Sequence, residues 1–483
     1  MKERPYQLTK SKMLSFRQCA KRLHLEIHRP ELIQIDASTQ QIFDQGHQVG
    51  AKAQELYGPG TVLDIKQGAL NVVAKTKQLL ESGYQQPIYE AAFLHDGVLV
   101  LADIVIPEKK TLQVIEVKSS TSVKPEHEYD AAVQSWVIRE SGYKTTSFSV
   151  AHINNKFVYQ GAGKYDGLFS VVPVDDAIKK LLPLITDQVA AAKKTLAGVE
   201  PAIHVGKHCT SPYECSFIAY CEGPQSDYPI KTLPRVGTKR WMLEREGFKD
   251  IRDIPEGRLT NTDQIRVWNA ARTGKVEFDP AARKIVCALP YPRYYLDFET
   301  IMFAVPIWKG TSPFQALPFQ WSCKIERKSG PMESVDFLDL TGEPPMRACA
   351  EKLIATLGTS GSIISYSPYE KRIIGSLASL FADLADDLAA LLPRIIDLHP
   401  LTKEHYYHPA MKGSWSIKKV LPTIAPDLNY KDLKGVQDGN EAGRAYLEAV
   451  NTKDSTRREE LREQLLQYCR QDAEAMVRVA RFI

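Results

Sequence analysis

Two stretches of this 483-residue chain set carboxylates at alternate positions of strand-like sequence, and they restrict the fold more tightly than any other feature. In the first, Val98-Leu-Val-Leu-Ala-Asp-Ile-Val-Ile106 and Thr111-Leu-Gln-Val-Ile-Glu-Val-Lys118 read as two strands joined by Pro107-Glu-Lys-Lys110, a four-residue hairpin loop. Pairing Ile106 with Thr111 sets Asp103 opposite Val114 and makes Glu116 its diagonal neighbour. Side chains alternate across a strand, so Asp103, Glu116 and Lys118 share one face while Ile115 and Val117 take the other. In the second, Arg293-Tyr-Tyr-Leu-Asp-Phe-Glu-Thr300 puts Asp297 and Glu299 on one face and Leu296 and Phe298 on the other. Carboxylates grouped in this way bind Mg2+ or Mn2+ through oxygen, and a lysine beside them orients or deprotonates a water, an arrangement suited to phosphodiester hydrolysis. Taken alone, the first stretch is more often a surface hairpin with alternating charges, a common object.

The last segment, Arg457 to Ile483, reads as a helix in which Leu465, Cys469, Asp472 and Met476 form one apolar stripe by steps of three and four. Asp472 therefore faces the interior, where a carboxylate is costly unless a cation sits against it, and Tyr468 lies one turn away beside it. Of eight cysteines, Cys209, Cys215 and Cys221 recur every six positions and call for a fourth ligand. Five residues between cysteines is neither ferredoxin nor zinc-finger spacing, so an iron-sulfur cluster, zinc and unligated thiols all stay open on the spacing.

Lys and Arg number 62 against 58 Asp and Glu, so net charge favours neither a polyanion nor a cation, and any nucleic-acid surface has to be local. The N-terminal residues lack the apolar core of a signal peptide, and no apolar run approaches the roughly 18 residues that span a bilayer. The expectation is a cytoplasmic protein without membrane contact, in a compartment that keeps cysteines reduced. Length and 43% apolar content imply about three globular domains. The amphipathic helix Asp175 to Ala197 leads into the cysteine segment, and Glu222-Gly-Pro-Gln-Ser-Asp breaks the pattern, giving boundaries at 1–224, 225–288 and 289–483. In the middle piece, Lys239 to Pro255 reads as a helix, a glycine turn and a second short helix. This is either a helix-hairpin-helix connector offering amides to a phosphate or a plain helical linker.

Upstream of the first acids, Leu8-Thr-Lys-Ser-Lys-Met-Leu-Ser-Phe-Arg-Gln-Cys19-Ala-Lys-Arg-Leu-His-Leu25 and Phe43-Asp-Gln-Gly-His47-Gln-Val-Gly50 resemble the RecB-like branch of the PD-(D/E)XK nucleases. The resemblance is strongest to members with an iron-sulfur cluster, such as the CRISPR-associated RecB-like exonucleases and AddB-type helicase-nucleases. It implies that His47 is a metal ligand, that Asp103 and Glu116 are the core carboxylates, and that Lys118 is the catalytic lysine. It also implies that Cys19 joins Cys209, Cys215 and Cys221 around a 4Fe-4S cluster that staples the domain ends. The family places a glutamine and then a tyrosine four residues on; this chain keeps Gln134, as a substrate contact, but has Ile138 at the tyrosine position.

Asp297 and Glu299 on a strand with Tyr468 and Asp472 on a helix resemble the tyrosine branch of the DEDD exonucleases, which have an RNase H-like fold. The resemblance implies two metals held by four acids, with the tyrosine positioning the nucleophilic water. The chain departs at the second acid, where Glu370 stands in place of the usual aspartate; Asp397 is the rival, expected to be supporting or structural. Gly413 to Pro422 and Leu428 to Leu433 resemble a lid and helix of bacterial proteins that fuse these two domains. Lys412, Lys418 and Lys419 there suit phosphate contact, as they would suit a solvated helix face.

The expectation is thus an α/β multidomain chain, with a PD-(D/E)XK nuclease fold, a small helical connector and a C-terminal RNase H-like fold. It would be a Mg2+- or Mn2+-dependent DNA exonuclease with two active sites. A nucleic-acid-binding protein with one inactive domain and an RNA-processing exonuclease are the alternatives.

Overall fold

The computed structural model describes residues 6–33 and 37–483, with the backbone alone over 37–43. The chain is mixed α/β and divides into two compact units, Met1–Gly223 with Phe303–Phe314, and Pro224–Met302 with Gln315–Ile483.

The first unit is built on a seven-stranded sheet of β1 (Leu8–Thr9), β2 (Thr61–Val62), β3 (Ile88–His95), β4 (Val98–Glu108), β5 (Thr111–Lys118), β6 (Lys144–Ile153) and β7 (Phe169–Pro173). The order is β2-β3-β4-β5-β6-β7, with β1 paired in parallel to β4. β3, β4 and β5 form an antiparallel meander, whereas β5 and β6 are parallel. A parallel pair needs a long crossover, and the helix Pro125–Glu140 supplies it. That helix is buried over most of its length, including Tyr129, Ala132, Val133 and Val137, so no polar stripe betrays its outer face. Helix Asp175–Ala197 buries Ile185, Val189 and Ala192 in the same core.

The hairpin between β4 and β5 is tighter than its sequence implies. Its loop is Lys109-Lys110 alone, because Lys109 adopts a left-handed conformation (φ 50°) of the kind a two-residue turn requires. Pro107 and Glu108 consequently stay in β4, Glu108 pairs with Thr111, and Ile106 pairs with Gln113 rather than with Thr111. Continued past Ile104–Ile115, this register puts Asp103 directly across from Glu116, not on its diagonal. On the other side, the β3–β4 ladder skips Glu90, whose φ is 57°, between the pairs Tyr89–Ile104 and Ala91–Ala102. Glu90, Asp103 and Glu116 thus stand level on three neighbouring strands.

In the second unit, β8 (Glu277–Phe278) pairs with β14 (Tyr406–Tyr407) in a separate two-stranded ladder. The main sheet consists of β9 (Arg293–Ile301), β10 (Leu317–Glu326), β11 (Glu333–Leu338), β12 (Ser362–Ser365) and β13 (Ile395–Asp397). Its order is β11-β10-β9-β12-β13; β9 is central, antiparallel to β10 and parallel to β12. The long helix Ser455–Phe482 lies against β9 and β10.

Residues 225–288, expected as a connector, contribute Ile230, Leu243, Ile251 and Val267 to one hydrophobic core with Tyr295, Ile364, Val420 and Met476. Within them, helix Lys239–Arg245 and the turn at Gly247 (φ 98°) appear, but the second short helix is a single 3-10 turn, Ile251–Asp253. The loop Phe303–Phe314 between β9 and β10 belongs to the first unit, where Ala304 packs with Val49, Ile153 and Phe157 and Tyr159 exchanges backbone hydrogen bonds with Gly310 and Thr311. Among the described residues, no helix is long and apolar enough to cross a membrane.

Candidate functional site

In the first unit, β4 and β5 bring Asp103 and Glu116 together beneath helix Pro125–Glu140. Glu116 is only 1% exposed and takes three donors. Its Oε1 accepts from Lys10 Nζ and from Lys118 Nζ, each at 2.7 Å, and its Oε2 accepts from Gln134 Nε2 at 2.7 Å. Lys118 also donates to Asp130 Oδ2 at 2.6 Å. Asp103 Oδ2 accepts from the Val117 backbone N–H at 2.7 Å, while its Oδ1 lies 3.8 Å from Lys10 Nζ. Two further buried acceptors of this network, Asp130 Oδ1 and Gln134 Oε1, meet no donor among the described residues.

Charge sorts these groups unequally. Burial opposes ionisation of Glu116, but the Lys10 and Lys118 ammoniums outweigh it and hold the carboxyl far below its usual range. Burial and the neighbouring Glu116 charge push Asp103 up to about 7. Burial would also strip Lys118 of its proton, but Asp130, Glu116 and Asp103 together hold its pKa well above the ordinary lysine value. Burial raises Glu90 as well.

Asp103, Glu116, Lys118 and Gln134 thus come together as their sequence positions imply. His47 is exposed on helix Ala37–Tyr57, where its charge bears on Glu90, and the cations bonded to Glu116 are Lys10 and Lys118. Sequence reasoning missed Lys10, Glu90 and Asp130. Only Asp130 left a signal, because it precedes Gln134 by one helical turn and so shares its face.

In the second unit, period-two alternation places Asp297 and Glu299 on one face of β9, with Leu296 and Phe298 buried on the other. Helix Ser455–Phe482 turns Asp472 toward them, and Cys469 Sγ lies 3.6 Å from Asp297 Oδ2. Among the described residues, Asp297, Glu299 and Asp472 are the group whose ligand atoms all lie within 4.8 Å of one another, as a bound cation requires. Glu370, on helix Tyr369–Leu380, is buried nearby and accepts from Ser367 Oγ at 3.1 Å; its charge bears on Asp297 and Glu299, but it stands outside that tight group. Asp397 caps helix Leu398–His405, accepting the His399 N–H at 2.8 Å, which is a structural role.

The acids are under-compensated. Burial first, and then mutual repulsion, holds Asp297 and Glu299 well above the carboxylate range. Burial lifts Asp472 to about 6 and Glu370 to about 7. The opposing charge comes from Lys418, whose Nζ donates to Tyr468 Oη at 3.1 Å and to the Gln437 carbonyl at 2.9 Å. Tyr430, which the sequence did not single out, donates its hydroxyl to Asp472 Oδ1. Burial and the adjacent acids hold the Tyr430 and Tyr468 phenols far above the usual range, so both stay protonated. Lys419 is exposed and does not join the cluster, and Lys412 lies over the Tyr228 ring.

Cys19, Cys209, Cys215 and Cys221 line a single cavity with Leu25, Ile203 and Phe217, and Lys21 and Arg22 stand at its wall. All four are free thiols. Four thiols around one cavity are a donor set that suits zinc or an iron-sulfur cluster alike. Burial raises the Cys209 and Cys215 thiols and pushes Cys221 up to about 11, so binding there has to displace protons.

Residues 294–416 match the model of a domain of unknown function, DUF2779; the matched stretch contains Asp297, Glu299 and Glu370 but stops short of Tyr468 and Asp472. No curated protein matches the chain. A solved structure titled "Crystal structure of SSO0001" aligns at 13% identity with a TM-score of 0.24, over 45% of this chain and 86% of that chain.

Proposed function

We propose that the chain is a metal-dependent phosphodiesterase that degrades nucleic acid, DNA foremost, at two separate centres. The observation that carries this reading is the group of Asp297, Glu299 and Asp472: three interior carboxylates with ligand oxygens within 4.8 Å, faced by the ammonium of Lys418. Leaving such charge unpaired inside a protein costs several kcal/mol, and a divalent cation is the partner that removes the cost (about 3–5 kcal/mol for one uncompensated buried charge). In this reading Asp297, Glu299 and Asp472, with Glu370 behind them, hold Mg2+ or Mn2+ in a DEDD-type, RNase H-like unit, and Asp103 and Glu116 hold it in a PD-(D/E)XK-type unit. A cation bound there supplies a Lewis acid for the scissile phosphate and lowers the pKa of a coordinated water.

The chain's own residues do the rest. Lys118 is held as an ammonium by Glu116 and Asp130, so it orients the water and stabilises charge developing on the phosphate and does not act as a base. Gln134 fixes the Glu116 carboxylate in orientation through Oε2. Tyr468, protonated and next to Asp472, is a donor able to position the attacking water, and Lys418 beside it suits the incoming phosphate. Cys19, Cys209, Cys215 and Cys221 would hold a 4Fe-4S cluster that ties the N-terminal helices to the cysteine segment.

Glu370 favours a second reading for the C-terminal unit alone, as a nucleic-acid clamp without chemistry, because it stands apart from the other three acids. The test is incubation of anaerobically purified protein with end-labelled single-stranded and duplex DNA and matched RNA, in Mg2+, Mn2+ or EDTA. Cleavage with the cations and none with EDTA is expected, strongest on DNA. Equal rates on RNA would move the substrate class, and no cleavage of any substrate would remove the proposal.

A further inference from the structure

Lys10 faces both of the carboxylates, Asp103 and Glu116, that would hold a divalent cation in the first unit. Its Nζ is 2.7 Å from Glu116 Oε1 and 3.8 Å from Asp103 Oδ1, so one ammonium serves an oxygen of each carboxylate. The other oxygen of each carboxylate has its own donor. Glu116 Oε2 is held by Gln134, and Asp103 Oδ2 by the Val117 amide. Resting on the reading of Asp103 and Glu116 as metal ligands, we infer that Lys10 is an internal counter-ion that holds the metal position and leaves when a divalent cation binds.

Two ammoniums compete for Glu116 Oε1, and the geometry distinguishes them. Lys118 has a second anchor at 2.6 Å in Asp130, which no metal ligand has to give up, so it stays. The second contact of Lys10 is the longer one to Asp103, itself a ligand, and a dication between the two acids repels the ammonium from both. Leaving is a matter of side-chain rotation alone. Lys10 is the first residue of helix Lys10–Gln18, and the far end of that helix is fixed, because Gln18 Nε2 donates to the backbone carbonyls of His208 at 2.6 Å and Tyr213 at 2.7 Å in the cysteine segment. Lys10 then swings on its four-carbon stem from a fixed root. Its charge stays next to the site, where it serves as a contact for the phosphate of the substrate. Lys10 is in this sense a positioning residue that exchanges a carboxylate for a phosphate.

The test reads Mn2+ affinity, not activity, in the full chain with the second centre disabled by Asp297→Asn and Asp472→Asn. One Mn2+ should bind in this background and be lost on Glu116→Gln. Lys10→Met should tighten it by about tenfold or more, because a competing unit charge within a few ångströms has been removed, whereas Lys10→Arg should keep the weaker affinity. A second readout needs no variant: Mn2+ should raise acylation of the Lys10 amine by acetic anhydride, measured by peptide mass spectrometry against Lys110, and leave Lys118 unchanged. Unchanged or weaker Mn2+ binding in a folded Lys10→Met, or Lys10 acylation indifferent to Mn2+, overturns the inference while leaving the metal site standing. If Glu116→Gln does not reduce Mn2+ binding, the metal reading of this unit fails first and takes the inference with it.

Discussion

Replacing Lys118 by Met should destabilise the first unit by an amount that depends on pH and on Asp130. Asp130 is 2% exposed, and the partner that meets its Oδ2 at 2.6 Å is Lys118. Glu116 keeps Lys10 and Gln134 in the variant, so most of the loss falls on Asp130. Removing one member of a buried ion pair costs about 3–5 kcal/mol, and the surviving support of Glu116 places this case near 3 kcal/mol at about pH 8. Asp130 already titrates above its usual range, because burial raises it more than Lys118 lowers it. A carboxyl raised in the folded state contributes stability that is present in full below its unfolded pKa and is lost as pH rises through the folded value. Without Lys118 the folded value rises further, so the carboxyl takes up a proton in place of its lost partner, and the deficit shrinks as pH falls toward about 5.

Amide hydrogen exchange over Thr111–Lys118 and Pro125–Glu140 reads this locally, with a loss of about 3 kcal/mol appearing as a fall in protection of about a hundredfold. Adding Asp130→Asn, which removes the stranded charge, should restore most of it. A deficit below about 0.5 kcal/mol at high pH, an equal deficit at both pH values, or a double variant no better than the single one would refute the reasoning from buried charge.

Three other outcomes follow from the same geometry. Tyr430→Phe removes the hydroxyl that bonds the buried Asp472 and should cost about 1–3 kcal/mol by chemical denaturation; no change would mean that Asp472 is satisfied elsewhere. Mn2+ at about 100 times its Kd should stabilise the second unit by about 2.7 kcal/mol in thermal melts, and Asp297→Asn with Asp472→Asn should abolish the gain. Ile251→Ala, in residues 225–288, should cost about 2–5 kcal/mol and lower the melting of the sheet around β9 with it, because Ile251 shares a core with Tyr295 and Ile364; limited proteolysis showing a lone, loosened 225–288 segment would contradict this.

What the sequence revealed follows from periodicity, and what it hid follows from distance along the chain. Asp297 and Glu299, like Glu116 and Lys118, lie two apart on strands, so alternation assigns their face without knowledge of the fold. Asp472 and Tyr468 are legible for the same reason, at helical steps. Lys10 is separated from Glu116 by 106 residues, and no local pattern connects them. The register of the β4–β5 hairpin turned on whether Lys109 takes a positive φ, a choice that a lysine rarely makes and that a glycine would have advertised. Glu90 was hidden similarly, because its strand reads as continuous although its backbone is left-handed there. The 225–288 segment reads as a connector because of its helix, glycine turn and second short helix, and Ile230, Leu243 and Ile251 from it are buried in the core of the second unit.

Product mapping with site-specific variants separates two hydrolytic centres, one in each unit, from one or none. Wild type, Glu116→Gln and Asp472→Asn would be followed over time on DNA labelled at either end, in Mg2+ and Mn2+. Each variant should lose a different subset of products, and the double variant should lose all of them. If Asp472→Asn yields the wild-type pattern, the acids of the second unit do not cleave these substrates; if both variants do, neither cluster is a nuclease centre.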